Sequence, residues 1–257
     1  MKWGNFWGLK IIKKTLKTIK QTLIQLLYPT GIKCIFCDDE LPNEQKYSIC
    51  QTCDGDSLKI DEFCHRCGRL QTNDARFCDT CTDYERNFDM ARSAYVYEGG
   101  VTKAIHNFKY NSEKHLADNF ANILSDLIKR EELDFDLVTF VPLHKKRQSE
   151  RGYNQSELLA KKTSEIFDIS CRQLLKKTKH TKKLAKLSFQ ERKELLKDSF
   201  ELSAEKHEIK GKRILLLDDV LTTATTIEEC SKVLKKAKPE SITVLTIAST
   251  KQEIILY

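Results

Sequence analysis

The sequence predicts an α/β protein: a mostly parallel sheet flanked by helices, preceded by a small metal-bound module. Three observations carry that prediction. Strand-like and helix-like segments alternate from about residue 88 onward, the order that builds parallel sheets covered on both faces. Eight of the ten cysteines crowd between Cys34 and Cys81 as four C-x-x-C pairs. An aliphatic strand, "RILLLDD", ends on two adjacent carboxylates and leads into a loop of hydroxyls and small residues, "LTTATT".

The first element is a leader, residues 1–31. Leu9, Ile12, Leu16, Ile19, Leu23, Leu26 and Leu27 recur at spacings of three and four, with lysines on the other face, and Pro29 and Gly31 end the pattern. That is an amphipathic helix. Its stripe suits docking on the rest of the protein, with a membrane surface or DNA as alternatives. The lysines interrupt any apolar stretch of export-signal type, and no run approaches the roughly 20 residues that span a bilayer. A cytoplasmic protein is expected.

Net charge is +7, and Met1 to Cys37 hold seven lysines without an acid. A second basic run, Lys176 to Lys186, holds six lysines and no acid. Charge concentrated in this way fits phosphate, nucleic acid or another anionic surface, or simply a solvated face.

Residues 32–86 are poor in aliphatics and cannot build an adequate apolar core. Cys34, Cys37, Cys50, Cys53, Cys64, Cys67, Cys78 and Cys81 supply another means of cohesion. Without an export signal, metal binding is favoured over disulfides. Two structural zinc sites fit the count, each closed by four thiolates with no position left for chemistry. Sequential pairing joins Cys34, Cys37, Cys50 and Cys53 at one ion and Cys64, Cys67, Cys78 and Cys81 at the other. Spacing alone leaves an interleaved arrangement open. Gly68 suits a knuckle, and His65 is not needed as a ligand. Cys171 and Cys230 read as small buried residues.

Residues 87–257 carry the α/β pattern. "SAYVYEG", "DLVTFVPL", "RILLLDD" and "ITVLTIA" read as strands; "VTKAIHNFKY", "HLADNFANILSDLIKRE", "NQSELLAKKTSEIF" and "TTIEECSKVLKKA" read as helices. Asn154 is a candidate cap. Ligands of open parallel sheets bind beyond the carboxyl ends of strands, where Asp218 and Asp219 fall. The following loop, Thr222, Thr223, Ala224, Thr225 and Thr226, opens a helix whose N–H groups form an anion site. Two carboxylates beside a phosphate cradle suit a sugar phosphate, the acids accepting from neighbouring ribose hydroxyls. The simpler alternative is that Asp219 or Thr223 only caps the helix.

"LLLDDVLTTATT" resembles the ribose-5-phosphate motif of type I phosphoribosyltransferases, whose loop usually reads T-T-G-x-T. Ala224 stands where glycine is usual, a source of strain if the backbone there has positive φ. "IHNFKY" and "VPLHKKRQSERGYNQSELLA", behind the cysteine pairs, resemble the ComF family of competence-associated proteins. The resemblance covers roughly residue 32 to the C-terminus and implies a type I phosphoribosyltransferase-like fold behind a double zinc ribbon.

It further implies that His144, Lys145, Lys146 and Arg147 face a diphosphate, with Arg151, Asn154 and Gln155 in the same wall and Lys109 pointing in from the first helix. Mg²⁺ would arrive with phosphoribosyl pyrophosphate. The family's hood segment is kept at Thr181, Leu187 and Arg192, whereas Leu184 and Leu195 stand where polar residues are expected. The implied role is DNA uptake in natural transformation, with phosphoribosyl pyrophosphate and single-stranded DNA as partners and uptake-machinery proteins as further candidates. The alternative is an active phosphoribosyltransferase of nucleotide salvage, for which no acceptor-recognising segment is legible.

Overall fold

A computed structural model describes residues 33–57, 59–71, 73, 75–111, 113–181 and 189–251. The predicted leader helix lies outside the described residues, as do Lys182, Lys183 and Lys186 of the second basic run and Leu184 and Leu187 of the hood segment.

Four parallel strands form the main sheet: β1 (Met90–Val96), β2 (Leu137–Phe140), β5 (Arg213–Leu221) and β6 (Ser241–Ser249), in the order β1-β6-β5-β2. Leu216 pairs with Val244, and Leu217 with both Leu245 and Phe140. β3 (Leu175–Lys177) and β4 (Phe200–Leu202) make a separate antiparallel pair. Between β1 and β2 lie α3 (Gly99–Tyr110) and α4 (Leu116–Arg130). α5 (Lys145–Arg151) and α6 (Gln155–Phe167) follow β2, α7 (Phe189–Leu196) joins β3 to β4, and α8 (Lys206–Ile209) precedes β5. α9 (Thr225–Lys235) then joins β5 to β6. Sequence pattern located the four main strands and the helices α3, α4, α6 and α9. It missed α5, α7, α8 and the β3–β4 pair, all short elements on which periodicity has little purchase.

β5 is buried on both faces, which explains its unbroken aliphatic run. Leu215 and Leu217 enter one core with Phe108 of α3, Phe120 and Leu124 of α4 and Leu159 of α6. Ile214 and Leu216 enter the other with Leu174, Leu175, Phe200 and α9, through Ile227, Cys230 and Leu234. β5 also continues beyond the expected end. Asp218 and Asp219 lie within the strand, and Leu221 closes it.

The cysteine segment contributes to both cores. The first ribbon has a knuckle at Cys34–Cys37, and Cys50 heads α1 (Gln51–Asp56). The second repeats this with Cys64–Cys67, and Cys78 heads α2 (Asp79–Asp83). Cys34, Ile35, Phe36 and Ile49 pack with the α3–α4 side of the sheet, and Cys64, Cys67, Cys78 and Cys81 with the α9 side.

Candidate functional site

The site begins with the carboxylates of β5. Asp218 Oδ1 accepts from Ser156 Oγ at 2.8 Å and from the Asp219 amide at 2.9 Å. Asp219 Oδ1 meets Lys109 Nζ at 2.7 Å. Burial, then the neighbouring Asp219, push the Asp218 carboxyl up to about 7, against the opposing pull of Ser156, Lys109 and the Asp219 amide. For Lys109, burial works against the charge, but Asp219 by charge and hydrogen bond, with Asp218 behind it, raises its pKa above the ordinary lysine value.

Lys109 is delivered by the last turn of α3, which neighbours hold from outside. The Tyr153 hydroxyl donates to the Phe108 carbonyl, and Gln155 Nε2 donates to the Lys109 carbonyl at 3.2 Å. Asn154 accepts from the Ser156 amide at 3.1 Å, capping α6, and its Nδ2 donates to the Val141 carbonyl at 3.0 Å. One cap therefore ties the end of β2 to the helix that carries Ser156.

The hydroxyl loop turns at Ala224, whose φ is +63°. This is the left-handed conformation that favours glycine. The turn lets α9 start at Thr225, and the Ala224 carbonyl accepts from the Glu228 amide at 2.8 Å. Thr223 Oγ1 lies 2.9 Å from Thr225 Oγ1. Two arginines hold the loop. Arg192 of α7 donates to Thr222 Oγ1 at 3.1 Å and to Thr223 Oγ1 at 3.4 Å. Arg69 of the second ribbon, itself buried, donates to the Thr222 carbonyl. The Arg69 contact spans 153 positions of chain, and no local pattern announces it.

Acids and loop open onto a crevice of about 740 Å³. Of the predicted site residues, Lys109, Arg147, Arg151, Gln155, Asp218, Asp219, Thr222 and Thr226 line it. Thr223, Ala224 and Thr225 shape the loop behind the lining. His144, Lys145 and Lys146 do not line the crevice: His144 heads α5, its Nδ1 accepting from the Lys146 amide at 3.2 Å, and its ring lies 5.1 Å from that of His180. Lys145 and Lys146 are exposed. The helical turn of α5 explains this, because Arg147 and Arg151 share a face at i,i+4 spacing.

The second basic run also divides. Lys176 pairs with Glu201 at 3.0 Å, and Lys179 donates to the Lys197 carbonyl at 2.8 Å. Lys177 turns inward, lines the crevice and donates to Thr181 Oγ1 at 3.0 Å. Burial, reinforced by Arg147 and opposed by Cys230 and Asp218, lowers its pKa. Sequence reading assigned Lys177 to an outer surface; alternation along β3 signals otherwise, since Leu175 is buried and the side chain two residues on shares its face.

The eight thiols gather sequentially. Cys34, Cys37, Cys50 and Cys53 form one cluster and Cys64, Cys67, Cys78 and Cys81 the other, their sulfurs within 4.8 Å of one another. A tetrahedron with bonds of about 2.3 Å has edges of about 3.8 Å. Cys37 and Cys50 lie 3.9 Å apart, and Cys67 and Cys78 3.7 Å. Backbone amides face the sulfurs, from Cys50 to Cys34 at 3.4 Å and from Cys78 to Cys64 at 3.3 Å. All eight are free of disulfides. The residues fit two closed structural zinc sites, and His65 takes no part in either.

Fold and crevice together define a phosphoribosyl transferase domain behind a double zinc ribbon. The phosphoribosyl transferase domain family matches residues 119–255, and the double zinc ribbon domain family matches residues 23–82. Competence protein F of Haemophilus influenzae is 31% identical over 85% of this chain and 97% of its own. Competence protein ComFC of Bacillus subtilis is 25% identical over 83% of this chain and 93% of its own. The DNA utilization protein YhgH of Escherichia coli O6:H1 is 25% identical over 79% of this chain and 91% of its own. The chain belongs to the Competence protein F (ComFC) family, with the double zinc ribbon and the phosphoribosyl transferase domain in that order.

Proposed function

We propose that the protein serves DNA uptake during competence, and that its crevice binds the ribose 5-phosphate part of phosphoribosyl pyrophosphate. Relatives named for competence and for DNA utilization support the first part. The observation that carries the second is the paired acids of β5 beside the left-handed turn at Ala224. Asp218 and Asp219 accept from the ribose diol. The loop amides at the start of α9, with the hydroxyls of Thr222 and Thr226, hold the 5′-phosphate. Lys109 keeps the acid pair from repelling itself. Arg147, Arg151 and Lys177 face the diphosphate, and Mg²⁺ bound to that diphosphate adds charge neutralisation. Single-stranded DNA meets the cationic surface by phosphate contacts that weaken with salt.

Calorimetry with phosphoribosyl pyrophosphate and Mg²⁺ tests the crevice. Asp218→Asn combined with Asp219→Asn is expected to abolish binding while both zinc ions are retained; binding that survives the double change sinks the assignment. The pKa of Asp218 gives the same experiment a pH dependence. A carboxylate accepts both diol protons best when ionised, so affinity rises as pH climbs through about 7. Stability moves the other way. The native state binds more protons than the unfolded state between 3.8 and about 7, so unfolding free energy falls across that window. Asp218→Asn should remove that fall. Labelled single-stranded DNA titrated at low and high salt tests the DNA contact, and no binding at low salt rejects it.

A further inference from the structure

The two thiolate clusters differ in what can reach them. In the second, Cys64, Cys67, Cys78 and Cys81 are at most 5% exposed. In the first, only Cys34 is buried, and Cys37, Cys50 and Cys53 are partly exposed. Cys37 and Cys53 line a cavity of about 570 Å³ between the first ribbon and the start of α3, which Gly99, Gly100 and Lys103 also line. Helix and knuckle approach closely here: a Cβ at Gly100 would stand 2.6 Å from Phe36 Cβ. Lys103 pins the knuckle, pairing with Asp38 at 2.8 Å and donating to the Cys37 carbonyl at 3.1 Å. A small solute in this cavity therefore meets two ligand cysteines without any unfolding. Coordination keeps such sulfurs as thiolates, the nucleophilic form of cysteine. The two cysteines outside the clusters compete poorly. Burial pushes Cys171 up to about 11, so it stays a thiol at neutral pH, and Cys230 is fully buried.

We propose that the first ribbon is an oxidation site: a small hydroperoxide oxidises Cys37, Cys50 closes a disulfide on it, and the first zinc is released while the second is kept. Cys37 has both access and a ready partner, since it lines the cavity and its sulfur lies 3.9 Å from that of Cys50. With hydrogen peroxide, the Cys37 thiolate attacks one oxygen, the O–O bond breaks, and hydroxide leaves; the sulfur becomes a sulfenic acid. The Cys50 thiolate then attacks that sulfur and expels a second hydroxide. Two electrons pass from the sulfur pair to the peroxide, and two protons from solvent turn both hydroxides into water. Two of the four ligands are then lost to the ion. The second cluster has the same thiol set and similar spacing, with Cys67 and Cys78 3.7 Å apart, so burial is what separates the two sites. The proposal is independent of what the crevice binds.

The test treats the full-length protein, loaded with both zincs, with hydrogen peroxide. A colorimetric chelator reports free zinc, and mass spectrometry after alkylation in denaturant maps the thiols over time. One equivalent of zinc should appear about tenfold or more faster than the second. A Cys37–Cys50 disulfide should accumulate with it, while Cys64, Cys67, Cys78 and Cys81 remain reduced. Dithiothreitol followed by zinc should restore the metal content. Cys34→Ser, which lacks the first site, should lose the fast phase and keep the slow one; if that variant does not fold, the wild-type map decides by itself. Release of both ions at one rate, oxidation of the second cluster first, or a fast phase with Cys37 still reduced overturns the proposal.

Discussion

The two zinc ribbons are one motif used twice, and they differ in what lies beneath them. Their backbones correspond step by step. The Asp38 amide donates to the Cys34 carbonyl at 2.9 Å, and the Gly68 amide to the Cys64 carbonyl at 2.8 Å. The Lys33–Glu40 bridge of the first matches the Phe63–Leu70 bridge of the second. Both knuckles turn through positive φ, +70° at Asp38 and +68° at Gly68. Yet the first cluster is partly exposed, with only Cys34 buried, whereas all four cysteines of the second are buried.

Their neighbours explain the difference. The first ribbon docks on α4 through Tyr47, whose hydroxyl donates to Asp126 at 2.5 Å and whose carbonyl accepts from Asn119 at 2.8 Å. No described residue of either ribbon lines the crevice itself. The second lies on β1 and against the hydroxyl loop. Arg69 holds the Thr222 carbonyl, and just beyond the ribbon Arg86 reaches Glu228 in the first turn of α9 at 3.1 Å. The position equivalent to Arg69 in the first ribbon is Asp39, which is exposed. A duplicated fold has thus become a support for one face of the sheet and, on the other, part of the scaffold of the candidate site.

The largest effect expected from this contrast is at the metal. Cys64→Ser should release one zinc, cost about 4–5 kcal/mol of stability and abolish ribose 5-phosphate binding. Cys34→Ser should release the other zinc while the remaining folded protein still binds. Metal analysis, thermal unfolding and calorimetry on the two variants decide it, and identical loss of affinity in both breaks the contrast. Next comes the knuckle. A Cβ at Gly68 would stand 2.2 Å from the Ala91 carbonyl oxygen. Gly68→Ala should therefore cost about 2–4 kcal/mol by denaturant unfolding, from left-handed strain and overlap with β1. Asp38→Asn keeps a residue that tolerates the left-handed region and removes an exposed pair with Lys103 at 2.8 Å. It should change stability by less than about 1 kcal/mol. A contrast in ligand binding then sharpens the role of the loop contact. Arg69→Gln should weaken ribose 5-phosphate about tenfold with both zincs bound, and Asp39→Ala should leave it unchanged.

Which parts were legible depends on range. The cysteine spacing and the "LLLDDVLTTATT" stretch are local, and a single segment states its chemistry through neighbouring residues. Asn154 could be read as a cap because it sits just before its helix, and its side chain does accept from the Ser156 amide. Lys145 and Lys146 looked equivalent to Arg147 because a string of basic residues does not show which face α5 turns inward. Lys177 looked like part of a solvated run until β3 rotated it into the crevice. Arg69, Arg192 and Ser156 come from three distant segments, and no spacing rule joins them.

By itself the sequence determined the α/β class, the double ribbon with two sets of four thiols, and the acid pair beside a hydroxyl-rich turn. Each is set by periodicity or by a motif a few residues long, where side chains meet through the local backbone. Only the tertiary structure decided that the ribbons occupy opposite faces of the sheet, that one of them braces the hydroxyl loop, and which cations share the crevice. Those outcomes depend on the direction in which each helix and strand turns its side chains once the two cores have packed.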